Sequence, residues 1–133
     1  MKDAPLVSII VACYNVEAYI TTCLESLLGQ TYTALEVLVV NDGSTDATLS
    51  CITTIASRDA RVRVFNQTNQ GVSASRNFGI TMATGDFVLF VDGDDWLSLD
   101  TLAVLQPYFY TYDLVCFSYY KEFASIQTVR RSR

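Results

Sequence analysis

Three runs built almost wholly of apolar residues, VSIIVAC (Val7–Cys13), LEVLVV (Leu35–Val40) and FVLFV (Phe87–Val91), limit most tightly how this chain can fold. A strand with one wet face alternates apolar and polar residues, whereas a run that is apolar throughout needs cover on both faces. The stretches between the runs supply that cover. Ile20, Leu24, Leu27 and Leu28 recur at helical spacing, with Asn15 expected to cap the helix and Glu17 in its first turn. Ser44 or Thr45 is expected to cap a second helix running to about Ser57, with Leu49, Ile52 and Ile55 inward. Val72 to Ala83 reads as a third helix, stopped by Gly85. Ser98 or Asp100 opens a fourth, which has Leu102 and Leu105 on its apolar face and which Pro107 ends or kinks. Val62–Phe65 reads as a shorter strand and Leu114–Tyr120 as a last one. Strands alternating with helices imply an α/β fold: a doubly wound, mainly parallel sheet with helices on both faces and right-handed crossovers.

At 133 residues the chain suits one domain, 1–133, with no linker or repeat and with 121–133 expected as a loosely ordered end. Half of it is hydrophobic and 17% charged, enough for a sizeable core. No apolar run approaches the ~18 residues of a membrane span. The start lacks the basic region of a secretory signal. Cys13, Cys23, Cys51 and Cys116 are widely spaced, without a CxxC pair, which fits small core thiols in a reducing cytoplasm. Histidine is absent, so catalytic triads and histidine metal sites are excluded. Residues 1–120 carry five basic against thirteen acidic side chains, a poor surface for nucleic acid. A phosphorylated ligand could still bind if a metal ion supplied positive charge. Arg130, Arg131 and Arg133 crowd the end. Clusters of about 4–8 basic residues are the usual membrane-surface signature, so a cytoplasmic chain is expected, with peripheral contact at the inner membrane face the alternative.

The chemistry concentrates where FVLFV runs into Asp92, Gly93, Asp94, Asp95 and Trp96. Three carboxylates within four residues repel one another, and a divalent ion with oxygen ligands is a natural compensator. An acidic, solvated turn is the plain alternative. In open α/β sheets ligands sit beyond the carboxyl ends of the strands, and there Tyr14, Asp42 and Asp92 would converge. Tyr14 could stack on a flat ring or cover the core. Asp42 could accept from a base or ribose, or serve as ordinary Asp-Gly turn chemistry. Arg76, the one cation between Arg63 and Lys121, could pair with Asp42 or with a phosphate, or lie solvated on its helix. Neither GxGxxG nor a Walker sequence is present, which lowers the odds of a dinucleotide dehydrogenase or P-loop NTPase.

Taken in order, SIIVACYNVEAYITTCLESLLGQTY, LEVLVVNDGSTD, NQGVSASRNFGITMATGDFVLFVDGDDWL and YDLVCFSYY resemble the glycosyltransferases of family 2, which have a GT-A fold. The resemblance implies inverting transfer of a sugar from a nucleotide diphosphate donor, usually a UDP-sugar, to a saccharide, lipid or protein acceptor, as in polysaccharide biosynthesis. It implies that Ala12 and Tyr14 flank the base, that Asp42 binds the uracil or ribose side, and that Arg76 lies by the nucleotide. Asp94 would be the direct ligand of Mn²⁺ or Mg²⁺, Asp92 would serve the ribose or a metal-bound water, and Gly93 and Asp95 would support them. Ala12 stands where the family usually has proline, Asn41 where Asp is frequent, and Ser75 where Ala is. Family members run on for roughly another hundred residues, which hold the acceptor part and a carboxylate general base. After Asp95 only Asp100, Asp113 and Glu122 remain, none in a matching motif. The expectation is therefore the donor-binding half of a transferase, with its base beyond residue 133. A non-catalytic nucleotide-sugar binding module or pseudoenzyme is the alternative. The aromatic end (Tyr108, Phe109, Tyr110, Tyr112, Tyr119, Tyr120) reads mostly as core, and any part of it left exposed could promote self-association.

Overall fold

The computed structural model describes residues 4–115, 119–123 and 126–132, with side chains described through residue 115. Four parallel strands form the main sheet in the order β3-β2-β1-β4: β1 (Val7–Cys13), β2 (Leu35–Asp42), β3 (Val62–Gln67) and β4 (Phe87–Asp92). Helices α1 (Ile20–Leu28), α2 (Thr48–Ala56) and α3 (Val72–Met82) alternate with them, and α4 (Thr101–Leu105) follows β4. Pro107 sits in the 3₁₀ turn Gln106–Tyr108 that closes α4, as expected.

The apolar runs of β1 and β2 are covered on both faces, whereas that of β4, expected to be covered likewise, is open on one. Odd-numbered Val7, Ile9, Val11 and Cys13 of β1 join Val37 and Val39 of β2 in one core. Ile20, Leu24 and Leu27 of α1, Ile52 and Ile55 of α2, and Leu102 of α4 close over that face. Even-numbered residues point the other way, toward α3, which packs on β1 and β2. There Gly79 lets α3 lie directly on Ile10. This is the doubly wound sheet anticipated from the run pattern. β4 is one of the two edge strands, and α3 does not reach across it: Val88 and Phe90 are each 42% exposed.

Several local expectations are corrected. α1 begins at Ile20, after a turn in which the Ile20 N–H donates to the Val16 carbonyl, and Asn15 is not its cap. α2 begins at Thr48, where the Asp46 carboxylate accepts the backbone N–H, so neither Ser44 nor Thr45 is the cap. Leu49 is exposed rather than inward. Leu114 and Val115 form no strand, and residues 116–118 of the expected last strand lie outside the described residues. Instead β5 (Tyr119–Phe123) pairs antiparallel with β6 (Ile126–Ser132) in a separate two-stranded sheet. Of the aromatic end, Phe109 packs on Phe87 and Tyr32, but Tyr108, Tyr110 and Tyr112 are about half exposed, so those three are not core. The Tyr119 and Tyr120 side chains lie outside the described residues.

Candidate functional site

The strand order runs outward from β1 through β2 to β3 and then jumps back to β4. That reversal leaves a crevice beyond the carboxyl ends of β1 and β4, where doubly wound sheets bind ligands. The register sets Ala12 directly beside Asp92, so the residues after each face one another across the crevice.

On the β4 side the chain turns sharply: the Asp95 N–H donates to the Asp92 carbonyl at 2.9 Å. The Gly93 N–H donates to the Ala12 carbonyl at 3.0 Å, which lashes the turn to β1. Glycine is needed for room and not for a left-handed backbone. A Cβ at position 93 would lie 2.9 Å from Cys13 Sγ and 3.0 Å from Val16 Cγ2. The turn brings carboxylate oxygens of Asp92, Asp94 and Asp95 within 4.8 Å of one another. Burial, reinforced by the charges of Asp94 and Asp92, holds the Asp95 carboxyl above its ordinary range, and a bound cation would relieve that repulsion. Three hard oxygen donors fit Mn²⁺ or Mg²⁺. Beneath the turn, burial and then the charges of Asp92 and Asp94 push the Cys13 thiol up to about 12. Burial likewise raises Cys23, whose Sγ–H donates to the Asp92 carbonyl.

The segment after the turn is tied to α1. Leu97 N–H donates to Ser26 Oγ at 3.1 Å, and Thr31 N–H to the Leu99 carbonyl at 2.8 Å. Gln30, only 3% exposed, donates through Nε2 to the carbonyls of Ser26 and Ser98 and accepts the Leu102 N–H at Oε1.

On the β1 and β2 side, Tyr14 stands at the crevice, half exposed. Asn15 follows at φ 50°, a left-handed conformation that Asn tolerates better than most residues. Its amide N–H donates to Ser44 Oγ at 3.0 Å, and its Oδ1 accepts the Thr45 N–H at 2.8 Å. Val16 N–H donates to Thr48 Oγ1, and Glu17 Oε2 accepts the Ala47 N–H. The loops after β1 and β2 are thereby clamped together.

Asp42 lies at the same sheet edge but is only 4% exposed. Its Oδ1 accepts from Gln67 Nε2 and the Gln70 N–H, and its Oδ2 from the Gly71 N–H. Burial pushes its carboxyl up, but those three hydrogen bonds outweigh burial and hold it below the usual range. Most of its acceptor capacity is thus spent on the loop before α3. Gln67 Nε2 also donates to Ser75 Oγ, so the hydroxyl at position 75 has a partner that an alanine would lack. Arg76 pairs with Asp92 at 3.0 Å, rather than with Asp42 as one expectation had it.

Ala12, Gly93 and Arg76 thus meet the cluster of Asp92, Asp94 and Asp95 directly, while Tyr14 follows β1 and Asp42 ends β2 at the same sheet edge. Asn15, Glu17, Ser26, Gln30 and Gln67 were not singled out as site residues. Their partners lie up to 72 residues away, beyond any local pattern.

The profile described as "Glycosyl transferase family 2" matches residues 8–133. The uncharacterized glycosyltransferase EpsJ of Bacillus subtilis is 51% identical over 94 residues, which are 71% of this chain and 27% of EpsJ. Glycosyltransferase GlyA of Streptococcus pneumoniae is 40% identical over 116 residues, 86% of this chain and 17% of GlyA. The chain thus spans well under a third of the length of these relatives. Among solved structures, S. aureus TarS 1–349 in complex with UDP superposes with a TM-score of 0.71 at 39% identity, covering 77% of this chain and 31% of that 1–349 chain. The mannosyltransferase PcManGT from Pyrobaculum calidifontis, in complex with GDP-Man and Mn²⁺, gives 0.73 at 31% identity, covering 84% of this chain and 33% of that one.

Proposed function

The chain belongs to glycosyl transferase family 2, and from that premise we propose that it is the donor-binding half of an enzyme transferring a sugar from a nucleotide diphosphate, with uracil as the base. The observation that carries this reading is the clustering of Asp92, Asp94 and Asp95 opposite Ala12 at the point where the strand order reverses. TarS structures hold UDP or UDP-GlcNAc, and the mannosyltransferase holds GDP-Man with Mn²⁺. Both likenesses favour a nucleotide-sugar ligand here.

In this reading Tyr14 stacks on the base, with the backbone at Ala12 beside it. Asp42 shapes the wall behind the ribose and offers it the acceptor capacity left by its three internal hydrogen bonds. Asp94, the freer carboxylate, holds the cation with Asp92, while Asp95 steadies the turn. When bound, a divalent ion supplies positive charge against the negative charge that builds on the departing nucleotide diphosphate. Arg76 adds a second cation on the same side. Inversion requires a base on the acceptor hydroxyl, which we place outside residues 1–133.

Calorimetric titration with UDP, first with Mn²⁺ and then with EDTA, on the wild type and on Asp94→Ala, tests the reading. Metal-dependent binding that the variant loses is the expected result. A folded protein that binds UDP under neither condition would refute it.

A further inference from the structure

Among the described residues two arginines form close ion pairs, and they are built differently. Arg61 grips Asp59 with two nitrogens, Nε to Oδ1 at 3.1 Å and Nη2 to Oδ2 at 2.9 Å, and also donates to the Leu28 carbonyl. Such a fork is a structural fixture. Arg76 makes one hydrogen bond among the described residues, Nη2 to Asp92 Oδ1 at 3.0 Å. Its Nε is shielded from solvent and has no hydrogen-bond partner. Its guanidinium carbon is 5.8 Å from the centre of the Phe90 ring, near the ~6 Å limit of a useful cation–π contact. A guanidinium carries five N–H donors, so most of its capacity is unused. The pair also sits on the open crevice, with the two side chains 39% and 44% exposed.

Asp92 is at once the partner of Arg76 and a member of the carboxylate cluster. Two cations therefore compete for one carboxylate. We propose that Arg76 is a latch on the acidic turn, holding Asp92 until a phosphate of the incoming nucleotide diphosphate draws the guanidinium away and frees Asp92 for the divalent ion. A phosphate offers acceptors that match the guanidinium fork, which the single bond to Asp92 does not. The latch makes binding of nucleotide and cation mutually reinforcing, since coupling between two sites is reciprocal. It rests on the donor-site reading above.

The test uses two arms on the wild type and Arg76→Met, a variant that removes the charge and keeps a long apolar side chain. In the first, Mn²⁺ alone is titrated and followed by electron paramagnetic resonance, at about 0.15 M and about 0.5 M salt. The variant is expected to bind Mn²⁺ about tenfold more tightly at both salts. Equal affinities, or a gain that vanishes at high salt as screening of a merely nearby charge requires, overturn the latch. In the second arm UDP is titrated in EDTA, and the variant is expected to bind about tenfold more weakly. Unchanged UDP affinity overturns the hand-over to phosphate. If the wild type binds UDP under neither metal condition, the donor-site reading fails instead. A gain of Mn²⁺ affinity in the variant would then still uphold the competition at Asp92.

Discussion

Replacing Gln30 by leucine keeps roughly the volume of the side chain and removes its hydrogen bonds. Three are lost: Nε2 to the Ser26 carbonyl at 3.0 Å, Nε2 to the Ser98 carbonyl at 2.7 Å, and the Leu102 N–H to Oε1 at 3.1 Å. Because position 30 is 3% exposed, water does not readily replace the amide, and the Leu102 N–H at the start of α4 is left without its partner. At a net ~0.5–1.5 kcal/mol for each hydrogen bond, with stranded groups toward the upper end, the expected loss is about 3 kcal/mol. For a urea slope of about 2 kcal/mol/M, that lowers the unfolding midpoint by about 1.5 M. Urea titration followed by circular dichroism at 222 nm reads the shift directly. The same substitution loosens the segment that follows the acidic turn, so Mn²⁺ affinity is expected to fall even where the protein remains folded. A midpoint shift under about 0.5 M with an unchanged slope would show that Gln30 does not anchor this segment.

Gly79→Ala places a methyl group against Ile10 at the closest approach of α3 to the sheet, and is expected to cost about 1–3 kcal/mol in urea unfolding while leaving UDP binding by the folded protein intact. Burial raises the Glu36 carboxyl, but hydrogen bonds from the Thr84 N–H and the Ser8 and Thr84 hydroxyls, with the charge of Arg63, outweigh burial and depress it. Its stabilisation is therefore present above the unfolded-state value of about 4.3 and is lost as pH falls through the lower folded value. The Tm gap between wild type and Glu36→Gln should accordingly narrow from about pH 5 downward, and a gap that widens would contradict the assignment. Cys13 and Cys23 are buried thiols held well above the ordinary range, so iodoacetamide at pH 8 should leave both unmodified in the native protein and label both in urea, as read by peptide mass spectrometry.

The sheet was legible because VSIIVAC, LEVLVV and FVLFV admit few environments, and helical spacing of Ile20, Leu24 and Leu27 told where their cover came from. That the ends of β1 and β4 lie side by side at one sheet edge followed from the parallel topology alone. Asn15 was misjudged because a residue after a strand and before a helix has the chemistry of a cap, while its actual partners, Ser44 and Thr45, belong to another loop. Gln30 carries no local signal of its role for the same reason: its partners at Ser98 and Leu102 exist only once the chain has returned across the sheet. Asp42 ends β2 as the run pattern implies, but nothing local announces that Gln67, Gln70 and Gly71 will converge on it. The last strand was misplaced because Leu114 and Val115 have an apolar character that a strand and an irregular segment share.

The clamp between the loops after β1 and β2 joins residues 29 to 32 positions apart. Those loops can meet only when both strands lie side by side in register, with α1 already folded back between them. A ligand that needs Tyr14 held by this clamp would recognise finished molecules and ignore half-assembled ones. Its binding energy would then accrue to the completed fold alone, by mass action. Nucleotide added to a refolding mixture would thus serve as a proofreader of assembly, holding back the unfolding of correctly assembled chains and leaving misregistered ones unprotected.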